Sequence, residues 1–334
     1  LHYIVTYLNM VSPLMELAKV FNNFLFKSAP KRSLLAFIVG GCQVGLIRKD
    51  VLDLLEAFPN IFIINDKTVS LKCNQQHYSK ITETLADVLD QLKMNNKHVA
   101  LRSWRDENFE VKPCFSSVPL FEMERAATCM FGIMQYGVDI NGYIIHPDKG
   151  LCIWVQKRAL NKPTWPNKYD NMVGGGLTAG IDPYTCCMKE AKEEASIPDE
   201  LLKNVECAGC VSFFFESERG LFPNTEFVFD LQLPVEFIPH NEDGEVESFN
   251  LLTAKEYLEL IKSEDYKTTS CPVGLDFLIR HGVINTSNEP DLPELVELLH
   301  LPLHRLYSST CWLSSLSQVK TGDESPSISR KKPY

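Results

Sequence analysis

The chain has 334 residues, 45% of them hydrophobic and 23% charged, with a formal net charge of −10. That length holds two domains with sizeable cores, and the acidic balance argues against a broad, non-specific nucleic-acid surface while leaving room for a local basic pocket. The most apolar run, Leu34 to Ile47, falls short of the ~18 residues a membrane span needs and contains Gln43, so neither a nucleic-acid polymer nor a membrane is an expected partner.

Residues 1–11 carry no readable pattern. From Ser12-Pro13, a helix start, Leu14, Leu17, Phe21 and Phe24 recur at helical spacing. Leu34–Val39, Val44–Ile47, Ile61–Ile64 and Val69–Leu71 read as short strands. Between them Lys49–Ala57 reads as a helix, and Ser79–Lys93 as a longer one with Ile81, Leu85, Val88, Leu89 and Leu92 inward. Leu101–Val111 reads as an edge strand that closes a small α+β unit, 12–113. His77 and His98 stand apart from other ligand types and read as structural. The eleven cysteines are scattered, several in apolar contexts (Cys42, Cys129, Cys152), as expected of free thiols in a reducing compartment. The expected location is cytoplasmic, with organellar targeting left open. Cys207-Ala-Gly-Cys210 has metal or redox spacing, but no second pair follows, so it is read as structural.

A second unit, 125–303, begins beyond Pro113 and Pro119. Gly137–His146 and Gly150–Gln156 read as strands joined by a Pro147-Asp148-Lys149-Gly150 turn. A loop from Lys157 to Pro166 follows, with three bases and no acid. It feeds a glycine-rich stretch, Gly174-Gly175-Gly176, and then Asp182-Pro183, a good N-cap and first helical residue. The helix that follows reaches about Ala195. Tyr184, Cys187, Met188, Ala191 and Ala195 form its apolar stripe. Glu190, Glu193 and Glu194 converge on an adjacent face, where three like charges repel and a bound divalent cation would relieve them. Cys207–Glu216 and Glu226–Leu233 read as sheet strands, and Thr253–Lys262, Cys271–Ile284 and Leu292–Leu303 as helices. From about Ser308 the composition turns polar and reads as a disordered tail, 308–334.

Gly175, Glu190, Ala191, Glu193, Glu194 and Ile197 stand at the spacing of the Nudix box, which this stretch resembles. Three positions depart. Ile181 stands where the family has a Glu, Lys189 replaces an Arg that pairs with it, and Ser196 replaces a Gly. The entry Asp170–Gly176, the string Asp243–Phe249, the segment Cys271–Ile284 and the accessory unit are similar to the thiamine-pyrophosphokinase-related Nudix subfamily. The Nudix resemblance covers about residues 125–300 and the subfamily resemblance about 12–300. It implies an α/β fold, a Nudix α/β/α sandwich with a mixed sheet, preceded by a small α+β accessory domain.

The same resemblance implies metal-dependent hydrolysis of a diphosphate in a phosphorylated small molecule. Mg²⁺ or Mn²⁺ would be held by Glu190, Glu193, Glu194 and the carbonyl of Gly175. Glu193 or Glu194, or an acid beyond the box (Glu245 or Glu247), would take the proton of the attacking water. Lys157, Arg158 or Lys162 would stabilise phosphate charge, and Trp165 and Glu226 would line the substrate pocket. The implied substrate is an oxidised thiamine diphosphate derivative, cleaved to the monophosphate and phosphate, with 8-oxo-dGDP as the alternative. Either needs an aromatic slot, for which Trp154, Trp165 and Phe213–Phe215 are available. The three departures motivate a competing reading, a Nudix-like module that binds without turnover. Against it, all three carboxylates stand.

Overall fold

The computed structural model describes residues 12–26, 34–72, 77–241 and 244–308. The segment 1–11, the tail 309–334 and Asp243 lie outside them. The described chain begins with α1 (Pro13–Phe21) and α2 (Asn23–Phe26). Ser12 caps α1, its hydroxyl accepting from the Leu14 and Met15 amides, and Pro13 sits where no helical hydrogen bond is lost.

Four strands follow, β1 (Leu35–Val39), β2 (Cys42–Ile47), β3 (Phe62–Ile64) and β4 (Thr68–Leu71). They form a sheet in the order β2-β1-β4-β3, with β1 and β4 parallel. The helices α3 (Lys49–Leu55) and α4 (Tyr78–Met94) bury Val51, Leu55, Ile81, Leu85, Val88, Leu89 and Leu92 in one core with this sheet. Leu101–Val111 is not one edge strand. Val99–Ser103 forms a 3₁₀ turn, closed by the Ala100 amide donating to His98 Nδ1. Asp106 then takes a left-handed φ of +58° that interrupts extension. Only β5 (Asn108–Val111) is strand, paired antiparallel with β6 (Phe121–Glu124).

After the short α5 (Arg125–Thr128), the larger sheet is built from β7 (Gln135–His146), β8 (Gly150–Arg158), β9 (Tyr169–Asn171), β10 (Val173–Gly176), β11 (Glu206–Ser217), β12 (Gly220–Gln232) and β13 (Val246–Thr253). Its main path runs β11-β12-β7-β8-β13, with β10 on β7 and β9 on β8. β7 is parallel to β12 and antiparallel to β8, so the sheet is mixed. Side-chain alternation sorts β8 between two cores. Cys152 and Trp154 join the core under α6 (Pro183–Ala195), whereas Ile153 and Val155 join the opposite core with α8 (Ala254–Lys262), α9 (Cys271–Arg280) and α10 (Leu292–Leu299). A sheet covered on both faces is an α/β/α sandwich. Two short helices, α7 (Asp199–Leu202) and α11 (Leu303–Ser308), complete the described elements.

Packing crosses between the two expected units of the chain. Leu14, Ala18 and Phe21 of α1 pack with α8, α9 and α10. Asn22 donates to Leu298 O (2.7 Å) and accepts from the Phe214 amide (2.9 Å), and Phe24 stacks on Phe214 at 3.7 Å. The N-terminal helix therefore covers the larger sheet. In the other direction, Phe121, Met123, Phe131 and Ile133 lie in the core of the four-stranded sheet, and the Leu46 amide donates to Phe131 O.

Candidate active site

Helix α6 starts as its sequence requires. Asp182 Oδ1 accepts from the Tyr184 and Thr185 amides, and Pro183 opens the helix. It ends at Ser196 in a left-handed conformation, φ +50°, the geometry a glycine would adopt at less cost. The apolar stripe is narrower than its spacing suggested. Cys186, Cys187, Ala191 and Ala195 are buried, but Tyr184 is 52% exposed.

The three glutamates have three environments. Glu194 is buried, accepting from the Gly174 amide (3.0 Å) and Gln156 Nε2 (3.1 Å), and burial pushes its carboxyl up to about 7. Glu190 is half-buried and also raised, first by burial and against the pull of Lys189. Glu193 is open to solvent. The Lys189 ammonium stands between Glu190 and Glu193 at 3.3 and 3.2 Å.

Among the described residues, no three His, Cys, Asp or Glu side chains are already gathered around a cation position. The donor chemistry nonetheless fits a hard divalent cation, since the helix presents only carboxylate oxygens beside the Gly175 carbonyl strand, and a lysine ammonium already bridges two of them. A side chain on Gly175 would place its Cβ 2.4 Å from Glu190 Cγ, so glycine there is what lets α6 lie against β10.

On the cleft floor, Gly137 serves Glu226 in the same way, a Cβ there lying 2.1 Å from Glu226 Oε2. Glu226 faces the buried Asp139, whose carboxyl is raised well above its ordinary value by burial and then by the charge of Glu226. Asp139 accepts from Asn171 Nδ2 at 2.9 Å. These elements enclose a cleft of about 1080 Å³. Gly175, Glu190, Glu193, Glu194, Arg158, Lys162, Trp165, Glu226 and Glu245 all line it. Lys157, Glu247 and Trp154 do not.

The reason Lys157 is absent is that the expected basic loop begins inside β8. Pairing of Lys157 with Tyr169 and Ser248 on either side keeps the strand extended through Arg158, so the two bases face opposite ways. Arg158 lines the cleft and Gln156, on the same side of the strand, reaches Glu194, whereas Lys157 lies over the Tyr169 ring. Glu247 falls at the β13 irregularity between Val246 and Ser248 and is exposed, whereas Glu245 forms an ion pair with Lys162.

Arg158 is committed to structure. It donates to Asp170 Oδ2 (3.0 Å), Trp165 O (3.1 Å) and Thr164 O (3.1 Å). Asp170 also accepts from Lys267 and Ser270. Against the effect of burial, Lys267 and Arg158 hold its carboxyl below the ordinary range. Clamped this way, the loop carries Trp165 and Asn167 at left-handed φ of +52° and +60°, strain of a kind that collects at functional sites. It places the Trp165 ring 6.1 Å from Phe215, which in turn lies 6.2 Å from Phe222.

Sequence reasoning missed the wall contributed from before residue 126. Arg105, Glu107, Phe109 and Arg125 line the cleft, and nothing in their local spacing marks them. β5 and the residue before it also hold the glycine-rich loop. Ala179 N donates to Asn108 O (2.9 Å), Thr178 Oγ1 to Glu107 Oε1 (2.6 Å) and Gly180 N to Glu110 Oε1 (3.2 Å). Ile181, where a bracing glutamate was expected, packs into the core under α6. The loop is thus fixed by β5 and by apolar contact rather than by a Glu–Arg pair.

A glycine-rich strand laid against an acidic helix at the rim of a two-sided mixed sheet defines a hydrolase of the Nudix type. Residues 136–270 match the NUDIX domain model, and residues 13–135 match a domain of unknown function, DUF4743. The chain is 34% identical over 258 residues to Nudix hydrolase 20, chloroplastic, of Arabidopsis thaliana, spanning 74% of this chain and 68% of that protein. It is 32% identical over 263 residues to Nudix hydrolase 24, chloroplastic, of the same plant (78% and 70%). It is also 29% identical over 278 residues to an uncharacterized protein of Saccharomyces cerevisiae (78% and 81%). The chain belongs to the Nudix hydrolase family. It is an enzyme of that type, so the binding-only reading is not retained.

Proposed function

We propose that the chain is a metal-dependent diphosphatase acting on an oxidised thiamine diphosphate derivative and releasing the monophosphate and phosphate. The observation that carries this reading is the make-up of the cleft. One wall is the carboxylate face of α6, the remaining lining brings Arg105, Arg125, Lys162 and Arg219 to the same cleft, and the aromatic group Trp165, Phe215 and Phe222 offers a slot for a flat heterocycle. The likeness to the thiamine-pyrophosphokinase-related subfamily supports the choice of heterocycle.

Glu190, Glu193 and Glu194, with the Gly175 carbonyl, would hold the divalent cation. When bound, it neutralises phosphate charge and lowers the pKa of an attacking water. Glu193 is the carboxylate of this group open to solvent, which suits it to accept the proton of that water. Lys162, tied to Glu245, lies at the cleft edge where non-bridging oxygens gather charge. Burial raises the carboxyls of both Asp139 and Glu226 on the cleft floor, which weakens their repulsion of a diphosphate. The nine described cysteines are all free, in keeping with a reducing setting. Among the described residues no helix is long and apolar enough to cross a membrane.

The test is a phosphate-release screen with Mg²⁺ comparing oxothiamine diphosphate, 8-oxo-dGDP, ADP-ribose and intact thiamine diphosphate. The reading expects the highest kcat/KM on oxothiamine diphosphate. A clear preference for 8-oxo-dGDP would replace the proposed substrate, and turnover that survives a chelator would remove the metal from the account.

A further inference from the structure

Most cations around the cleft are already matched with carboxylates. Arg158 and Lys267 are bound to Asp170, Lys162 to Glu245, Lys189 to Glu190 and Glu193, and Arg125 to Glu107 at 2.8 Å. Two are not. Arg105, just before β5, donates from Nη2 to Thr164 Oγ1 (3.2 Å). Arg219, in the turn between β11 and β12, donates from Nη2 to Ser103 Oγ (2.9 Å), and its Nε is buried without an acceptor. Among the described residues neither makes an ion pair with a carboxylate, yet both line the cleft and are half-buried.

Arg219 is anchored on Ser103, two residues before Arg105 in the chain. Burial, then the charge of Arg125, and further on those of Arg219 and Arg158, bring the Arg105 guanidinium down to about 10 against the pull of Glu107. Cations gathered in a partly buried cleft destabilise the free protein unless an anion completes them. A third group points the same way. Gln135, also in the cleft lining, has its Nε2 buried without an acceptor. Orphaned donors of this kind are costly when left unpaired, and tetrahedral phosphoryl oxygens are acceptors suited to an arginine fork.

We propose that Arg105 and Arg219, with Gln135 Nε2, form a binding subsite for the terminal phosphoryl group of the substrate diphosphate. It rests on the diphosphatase reading of the cleft and adds a selection rule to it. The subsite favours a diphosphate monoester, whose end is a phosphoryl dianion, over a diphosphate diester such as ADP-ribose. It also gives the DUF4743 part of the chain a role in binding, since Arg105 and the Ser103 anchor of Arg219 both come from it.

The full-length protein stripped of metal by a chelator is titrated calorimetrically with inorganic phosphate as the probe. Wild type is expected to bind one phosphate saturably. Arg105→Gln and Arg219→Gln are each expected to weaken it by about tenfold or more, and Arg105→Lys by less, because charge is kept while the fork is lost. Circular dichroism and melting confirm that the variants fold. Turnover with Mg²⁺ is then followed chromatographically on oxothiamine diphosphate and ADP-ribose. Arg105→Gln should raise KM far more than it lowers kcat, and the loss in kcat/KM should fall about tenfold harder on the monoester. Absence of phosphate binding to wild type, or equal losses on both compounds, overturns the subsite. If wild type hydrolyses neither compound, the diphosphatase reading fails, and the phosphate titration still decides the subsite by itself.

Discussion

Replacing Glu194 with Gln should change how the stability of the metal-free protein depends on pH. Glu194 is 3% exposed, and burial raises its carboxyl from an ordinary 4.5 to about 7, outweighing the Gly174 amide and Lys162 that favour the charged form. The folded protein therefore holds this proton more tightly than the unfolded chain does. The contribution is present in full below pH ~4.5 and is lost as pH rises through ~7, a change of roughly 3 kcal/mol. Gln keeps an acceptor for the Gly174 amide and has no proton to lose. In urea unfolding with a chelator present, the stability of Glu194→Gln relative to wild type should rise by roughly 3 kcal/mol between pH 4.5 and 7.5. A difference constant across that range would refute the burial argument. Added Mg²⁺ should recover part of the loss in wild type above pH 7, because the cation binds the ionised form.

Arg158→Met breaks a pair in which Asp170 is buried, and should cost about 3 kcal/mol of stability. A variant with wild-type melting but a raised KM would instead make Arg158 a phosphate ligand. Thr178→Val removes the hydroxyl that donates to Glu107. It should destabilise by only about 1 kcal/mol, yet lower kcat/KM on the order of tenfold, because the loop carrying Gly175 loses its one side-chain hydroxyl tie to the segment before β5 and keeps only the Ala179 and Gly180 amide bonds. Kinetics identical to wild type would show that this tie does not position the site.

What the sequence made legible were features whose cause is local. The N-cap at Asp182, the glycine that admits Glu190 and the i, i+3, i+4 carboxylates are set within one loop and one helix, and their spacing is visible in the chain. Two kinds of feature were not legible. The split between Lys157 and Arg158 depends on β8 continuing two residues further, which is decided by pairing with β9 and β13, the latter about 90 residues away. The Arg105, Glu107 and Arg125 wall depends on β5 docking against the glycine loop, contacts spanning about 70 residues that leave no periodic trace. The packing of α1 is hidden for a related reason. Its apolar spacing predicts a helix, but an amphipathic face does not state which sheet it will cover. The left-handed Ser196 falls between these cases. The missing glycine is visible in the sequence, but not that serine takes the left-handed conformation in its place.

The central claim is that the carboxylate face of α6 supports metal-dependent cleavage of a diphosphate. The direct measurement is phosphate release from oxothiamine diphosphate by wild type and by Glu194→Gln, each with Mg²⁺ and with a chelator. The account predicts release by wild type with Mg²⁺ only, and none by the folded variant. Full activity in Glu194→Gln, or undiminished release by wild type in the chelator, would contradict it.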